Sequence, residues 1–133
     1  MVQSADDPAT ENQPVTPESL GAFLTALEAA GVDVWDISCW RESRRGYFGT
    51  PVLLADWVRQ FSQKPRIVAG NILTPEEAEA YINEGHAEAV ALARAQIMDA
   101  EWANKAHESQ SAEIRPVIGD EWRAIYQGID PGK

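Results

Sequence analysis

The stretch "RIVAGNILTPEEAEAYINEGHAEAVALARAQIMD", residues 66–99, decides the fold. It opens on a short apolar run, turns at Gly70-Asn71, and then offers Thr74-Pro75-Glu76-Glu77. That order places threonine as an N-cap, proline at the first helical position and Glu77 where a capping box puts its carboxylate. Ala78, Tyr81 and Ile82 recur at helical spacing as the expected buried face, and Gly85 stops the helix. "EAVALA" follows as another strand and ends at Ala93-Arg94. Strand, helix and strand joined by such short turns predict parallel strands with a right-handed crossover.

Working outward, the same alternation continues upstream. Thr16-Pro17 predicts a helix start, Leu20, Phe23, Leu24 and Leu27 supply an apolar face, and Gly31 ends it. "VDVWDISCW" predicts a strand with Val34, Asp36 and Ser38 on one face and Trp35, Ile37 and Cys39 on the other. A charged, glycine-punctuated loop leads to a second helix from Pro51, carrying Leu53, Leu54, Trp57, Val58 and Phe61. Downstream, one long helix is expected from Arg94 through Ile97, Met98 and Trp102, then a short one with Trp122, Ile125 and Tyr126. The predicted order is α-β-α-β-α-β-α-α. Three segments are expected: a flexible arm over 1–15, the α/β unit over 16–106, and a loop with a short helix over 107–133.

Composition narrows the function classes. An apolar fraction of 44% is that of a globular chain. Twenty-one acidic residues against 11 basic ones, a net charge of −10, argue against nucleic acid or an anionic membrane as partner. The single Cys39 excludes an internal disulfide, and no apolar leader precedes the arm, so a cytoplasmic setting is expected. His86 and His107 have no Cys, His or carboxylate at metal-ligand spacing around them, so no metal site is expected.

In parallel α/β folds the ligand-facing rim lies at the carboxyl ends of the strands. There the sequence puts Ser38 to Trp40, Gly70-Asn71 and Ala93-Arg94. Small residues at neighbouring strand ends let backbone N–H groups approach an anion, and a following helix N-terminus adds its dipole. Gly70 and Asn71 read either as phosphate contacts or as a plain turn. Arg94 reads either as an anion ligand or as a helix-start arginine paired with Asp99 or Glu101. Trp40, Tyr47 and Phe48 suit a ligand or core packing; Arg41, Arg44 and Arg45 suit anion steering or a solvated loop.

"GVDVWDIS" and "GNILTPEEAEAYINEGHAEAVALARAQIMDAEWANKA" resemble the C-terminal part of the old yellow enzyme family, FMN-dependent NAD(P)H:flavin oxidoreductases built as (β/α)8 barrels. The resemblance implies a partial TIM barrel holding its last three βα units, about three parallel strands with flanking helices. It implies Gly70 and Asn71 as backbone contacts to the FMN phosphate and Arg94 as the arginine of the family's strand-eight Gly-Arg pair. Ala93 stands where that pair has glycine, and its methyl group is expected to crowd the phosphate or demand a φ that alanine dislikes. A whole barrel needs about 250 residues. The family's flavin-holding first strands, its histidine pair and its tyrosine proton donor have no counterpart here, so no catalytic residue is assigned. The chain therefore reads as a truncated or split oxidoreductase that binds FMN or phosphate, with a homodimer or a complementary barrel fragment as expected partner. The alternatives are a non-catalytic phosphate-binding or interaction module, or a non-functional fragment.

Overall fold

The computed structural model describes residues 2–3, 15–39 and 44–128. In chain order the elements are β1 (Val2–Gln3), α1 (Pro17–Ala29), β2 (Trp35–Ser38), α2 (Leu54–Phe61), β3 (Arg66–Ala69), α3 (Pro75–Asn83), β4 (Ala89–Ala91), α4 (Arg94–Met98) and α5 (Trp102–His107). A 3-10 turn (Ser111–Glu113) and α6 (Glu121–Tyr126) follow. The strands form one parallel sheet in the order β1-β2-β3-β4. That is the sequential, helix-linked arrangement of an α/β barrel segment. The sequence reading expected three strands; Val2–Gln3 adds a fourth, paired with Ile37 and Ser38.

The chain divides into two compact units, one from residues 1–71 with 81–91 and the other from 72–80 with 92–133. The first holds the whole sheet. Thr16 caps α1 in a reciprocal box: Ser19 N–H donates to Thr16 Oγ1 at 3.1 Å, and Thr16 N–H donates to Ser19 Oγ at 2.9 Å. Gly31, at φ +107°, turns the chain out of that helix. Leu20 and Leu24 of α1, Leu54 and Val58 of α2, and Trp35, Ile37 and Val68 of the sheet are buried together in this unit's core. Gly21 is the close-approach point of the two helices, since a Cβ there would lie 2.6 Å from the Phe61 ring. Trp35 Nε1 donates to Ser62 Oγ at 2.8 Å, and Ser62 Oγ in turn bonds the Glu28 carboxylate, so β2, α2 and α1 are tied by one polar chain.

Several expected boundaries shift. Ile82, read as buried, is exposed, and so are Phe23 and Phe61 from the apolar spacing of α1 and α2. The helix expected from Pro51 begins at Leu54, after a turn in which Tyr47 N–H bonds the Val52 carbonyl at 2.9 Å. In the second unit the expected long helix is broken at Asp99. Its carboxylate accepts from Glu101 N–H at 3.0 Å, from Arg115 N–H at 2.9 Å and from Lys105 Nζ at 2.6 Å. A side chain that offers the backbone such partners competes with the helix, and α4 stops at Met98. Trp102 is buried, its indole N–H donating to the Leu73 carbonyl at 3.1 Å. Trp57 and Trp122 are half-buried.

Candidate functional site

The strand-end residues fall in the two units, Gly70 and Asn71 in the first and Ala93 and Arg94 in the second. Gly70 has φ +141° and Asn71 φ +53°. Consecutive residues of positive φ turn the chain sharply off β3, and only glycine, then asparagine, take such angles at low cost. Gly70 also sits against the end of β2: a Cβ on it would lie 2.6 Å from the Cys39 carbonyl oxygen and 3.0 Å from Cys39 Cβ. Neighbouring backbone thus already requires this glycine. Cys39 is buried, as a small hydrophobe at a strand end would be.

The helix that follows begins with its amides occupied. Leu73 N–H and Thr74 N–H both donate to Glu77 Oε2, at 2.8 and 3.1 Å, and Glu77 N–H donates to Thr74 Oγ1 at 3.2 Å. The expected capping box is therefore formed. The Glu76 carboxyl is held below its ordinary range, first by its own backbone N–H and then by the Ser111 hydroxyl. These carboxylates take the place that an anion would seek at α3. A cavity of about 610 Å³ opens beside them, walled by Leu73, Pro75, Ile114, Pro116 and Val117.

Ala93 is exposed, with φ −120° and ψ −76°, so the left-handed angle feared for it does not arise. Arg94 is half-buried and opens α4. That helix is only five residues long and adds little dipole.

The loop after β2 carries the remaining candidates. Trp40 and Arg41 lie outside the described residues. Tyr47 is buried and Phe48, at φ +55°, packs edge-on to Trp57 with ring centroids 5.4 Å apart. The packing alternative holds for both. Arg44 lies 4.5 Å from the Tyr81 ring centroid and donates to Glu84 Oε2 at 2.7 Å, a hydrogen bond that pulls the Glu84 carboxyl below its usual range. Asp36 is exposed and Ser38 half-buried on the side of the sheet away from the helices. Among the described residues no group of three His, Cys, Asp or Glu could hold a metal ion, and no helix is long and apolar enough to cross a membrane.

Nothing in the periodicity marked Arg66, yet it is the most elaborate polar centre of the first unit. Only 2% exposed, it donates to the Ala55 carbonyl at 3.0 Å, the Gly85 carbonyl at 2.9 Å and Glu88 Oε1 at 3.0 Å. Its own N–H donates to Glu88 Oε2 at 2.7 Å. The Arg66 hydrogen bonds hold the Glu88 carboxyl down to about 2, against the desolvation that raises it. Asp56 stands 3.7 Å from the guanidinium and 2.9 Å from His86 Nδ1, whose Nε2 faces Glu84 at 3.2 Å. The cluster lies at the amino ends of β3 and β4, opposite the ligand-facing rim, where barrel residues serve stability. A charged residue at the first position of an apolar strand, with a glutamate just before the next strand, was the only available signal.

No family model matches the chain. It is similar to the NADH oxidase of Thermoanaerobacter brockii, 39% identical over 100 residues that cover 69% of this chain and 15% of the oxidase. It is 33% identical over 104 residues to a metal reductase of Desulforamulus reducens, covering 73% of this chain and 16% of the reductase. A bilirubin reductase of Clostridium symbiosum is 27% identical over 122 residues, 83% of this chain and 33% of the relative. The chain thus spans a third or less of the length of these relatives. Its fold matches morphinone reductase in complex with tetrahydroNAD at a TM-score of 0.56, with 17% identity, over 74% of this chain and 24% of that one. A variant of NCR from Zymomonas mobilis matches at 0.55, with 19% identity, over 89% and 36%. The chain is therefore similar in sequence to part of several oxidoreductases and has the fold of part of an old yellow enzyme-like barrel.

Proposed function

We propose that this chain is the FMN-phosphate-binding part of an old yellow enzyme-type NAD(P)H oxidoreductase barrel. The reading is carried by the similarity to NADH oxidase over 69% of the chain, in a sheet whose strands run parallel and in sequence. Gly70 and Asn71 would offer backbone to the phosphate, and Arg94 its guanidinium. The turn of positive φ after β3 and the negative φ of Ala93 are compatible with those roles. FMN, when bound, supplies the hydride chemistry; the protein binds and orients it. No catalytic residue of the family is assigned to this chain, so turnover needs residues supplied from elsewhere, in a cytoplasmic setting.

A second reading is a non-catalytic phosphate-binding or interaction module, and the start of α3 favours its interaction form, since Glu77 already accepts from Leu73 and Thr74 N–H where an anion would sit. Titration of FMN followed by flavin fluorescence tests the first reading. Saturable binding is expected, weakened about tenfold or more in Arg94→Ala, because a charge-assisted contact is worth about 1.5–3 kcal/mol. Wild-type protein that binds neither FMN nor inorganic phosphate would contradict it.

A further inference from the structure

We propose that the cavity of the second unit binds a small organic cation, an ammonium group carried on an apolar body. The residues that line it belong to that unit, among them Leu73, Pro75 and Glu76 at the start of α3 and Ile114, Pro116 and Val117 beyond the 3-10 turn. At about 610 Å³ it falls within the roughly 300–1,000 Å³ that holds small ligands. Leu73, both prolines, Ile114 and Val117 are apolar, so burying a hydrocarbon or an aromatic ring against them supplies the driving force.

Charge selects the ligand. Among the described lining residues Glu76 carries the one charge. Its carboxyl is held below its ordinary range by its own backbone N–H first, then by the Ser111 and Thr74 hydroxyls, so it is ionised at neutral pH. A carboxylate accepts about four hydrogen bonds, which leaves Glu76 room for an ammonium N–H. Lys105 and Arg115, cations near the Ile114 segment, turn to other partners: Lys105 Nζ lies 2.6 Å from Asp99 and Arg115 Nη2 lies 3.8 Å from Glu121. An anion is disfavoured, because Leu73 and Thr74 N–H already donate to Glu77 and the chain carries a net charge of −10.

The walls are fixed by groups behind them. Buried Asp99 accepts from Arg115 N–H at 2.9 Å, and Lys105 Nζ, bonded to the same carboxylate, donates to the Glu113 carbonyl at 3.2 Å. Those bonds hold the backbone on both sides of Ile114. At the other wall the buried Trp102 indole donates to the Leu73 carbonyl at 3.1 Å. Walls set before the ligand arrives lower the ordering cost of binding.

Titration of isotope-labelled protein with phenethylamine, phenethyl alcohol and hydrocinnamate, probes of similar size and different charge, tests the proposal by NMR. The amine is expected to shift the amide signals around Leu73–Glu76 and Ser111–Val117 saturably, the alcohol more weakly and the carboxylate most weakly. Glu76→Gln should weaken the amine about fivefold at low salt and remove its advantage over the alcohol. Glu79→Gln, which removes an exposed carboxylate of the same helix outside the lining, should bind the amine as the wild type does. Signals that no probe moves saturably overturn the proposal, as does hydrocinnamate binding as tightly as phenethylamine. So does Glu79→Gln weakening the amine as much as Glu76→Gln, which would mark a diffuse attraction to an acidic chain.

Discussion

On the helix side of the sheet Trp35, Ile37, Cys39, Arg66 and Val68 are all buried, while on the other side Asp36 and Ala89 are exposed and Ile67 and Ala69 half-buried. The residues differ as much as their surroundings. The covered side carries large side chains and a guanidinium whose hydrogen bonds join β3 to α2 and to the segment before β4. The open side carries alanines, a serine and a carboxylate. The covered side is thus organised to hold this unit together, and the open side is left available. Strand ends stand between these roles, since Gly70 is needed for packing on Cys39 and is also a phosphate candidate.

The largest effect is expected on the covered side. Arg66→Ala should cost about 3 kcal/mol in chemical denaturation, because it strands the Ala55 and Gly85 carbonyls and removes the partner of Glu88. Ala89→Ser, at an exposed position on the opposite face, should change stability by less than about 0.5 kcal/mol. Equal losses at the two positions would erase the contrast.

Next comes the strand end. Gly70→Ala should cost about 2 kcal/mol, since the new methyl meets a backbone carbonyl that cannot swing aside and the φ of +141° disfavours it. Gly21→Ala should cost less, although its Cβ would also lie 2.6 Å from a neighbour. There the neighbour is the exposed Phe61 ring, which is able to move. Thermal melts of the two variants side by side make the comparison.

A smaller effect is set by pH. Glu88 is held at about 2 in the folded chain, below its ordinary 4.5. A lowered carboxyl contributes stability that is fully present above pH 4.5 and is lost as pH falls through about 2. Glu88 is 44% exposed, so solvent screens the contribution. Glu88→Gln should flatten the stability profile between those two pH values; an unchanged slope would remove Glu88 from the ledger of acid sensitivity.

Parallel α/β order, the Thr16 and Thr74 caps, and the glycine stops at Gly31 and Gly85 were legible because each rests on local chemistry. Strand alternation was legible too: Trp35, Ile37 and Cys39 are buried on one side as read. Val2–Gln3 was not, since two residues carry no period. The break at Asp99 escaped because its partners, Lys105 and Arg115, lie 6 and 16 residues away. Phe23, Phe61 and Ile82 show the limit of helical spacing, which identifies an apolar residue but not a neighbour to cover it. At the strand ends the sequence identified the turn at Gly70-Asn71. It did not reveal that Cys39 demands the glycine, nor that Ala93 keeps a negative φ.

Thermal melting of wild type, Arg94→Ala and Ala93→Gly, each with and without FMN or inorganic phosphate, tests the central claim most directly. The midpoint of each protein without ligand serves as its own reference. With ligand the wild-type midpoint should rise, as any ligand selective for the folded state requires. The rise should shrink in Arg94→Ala and hold or grow in Ala93→Gly, where the backbone is open to closer approach. Midpoints unmoved by either ligand in both wild type and Ala93→Gly would contradict the account and leave the strand ends as turns alone.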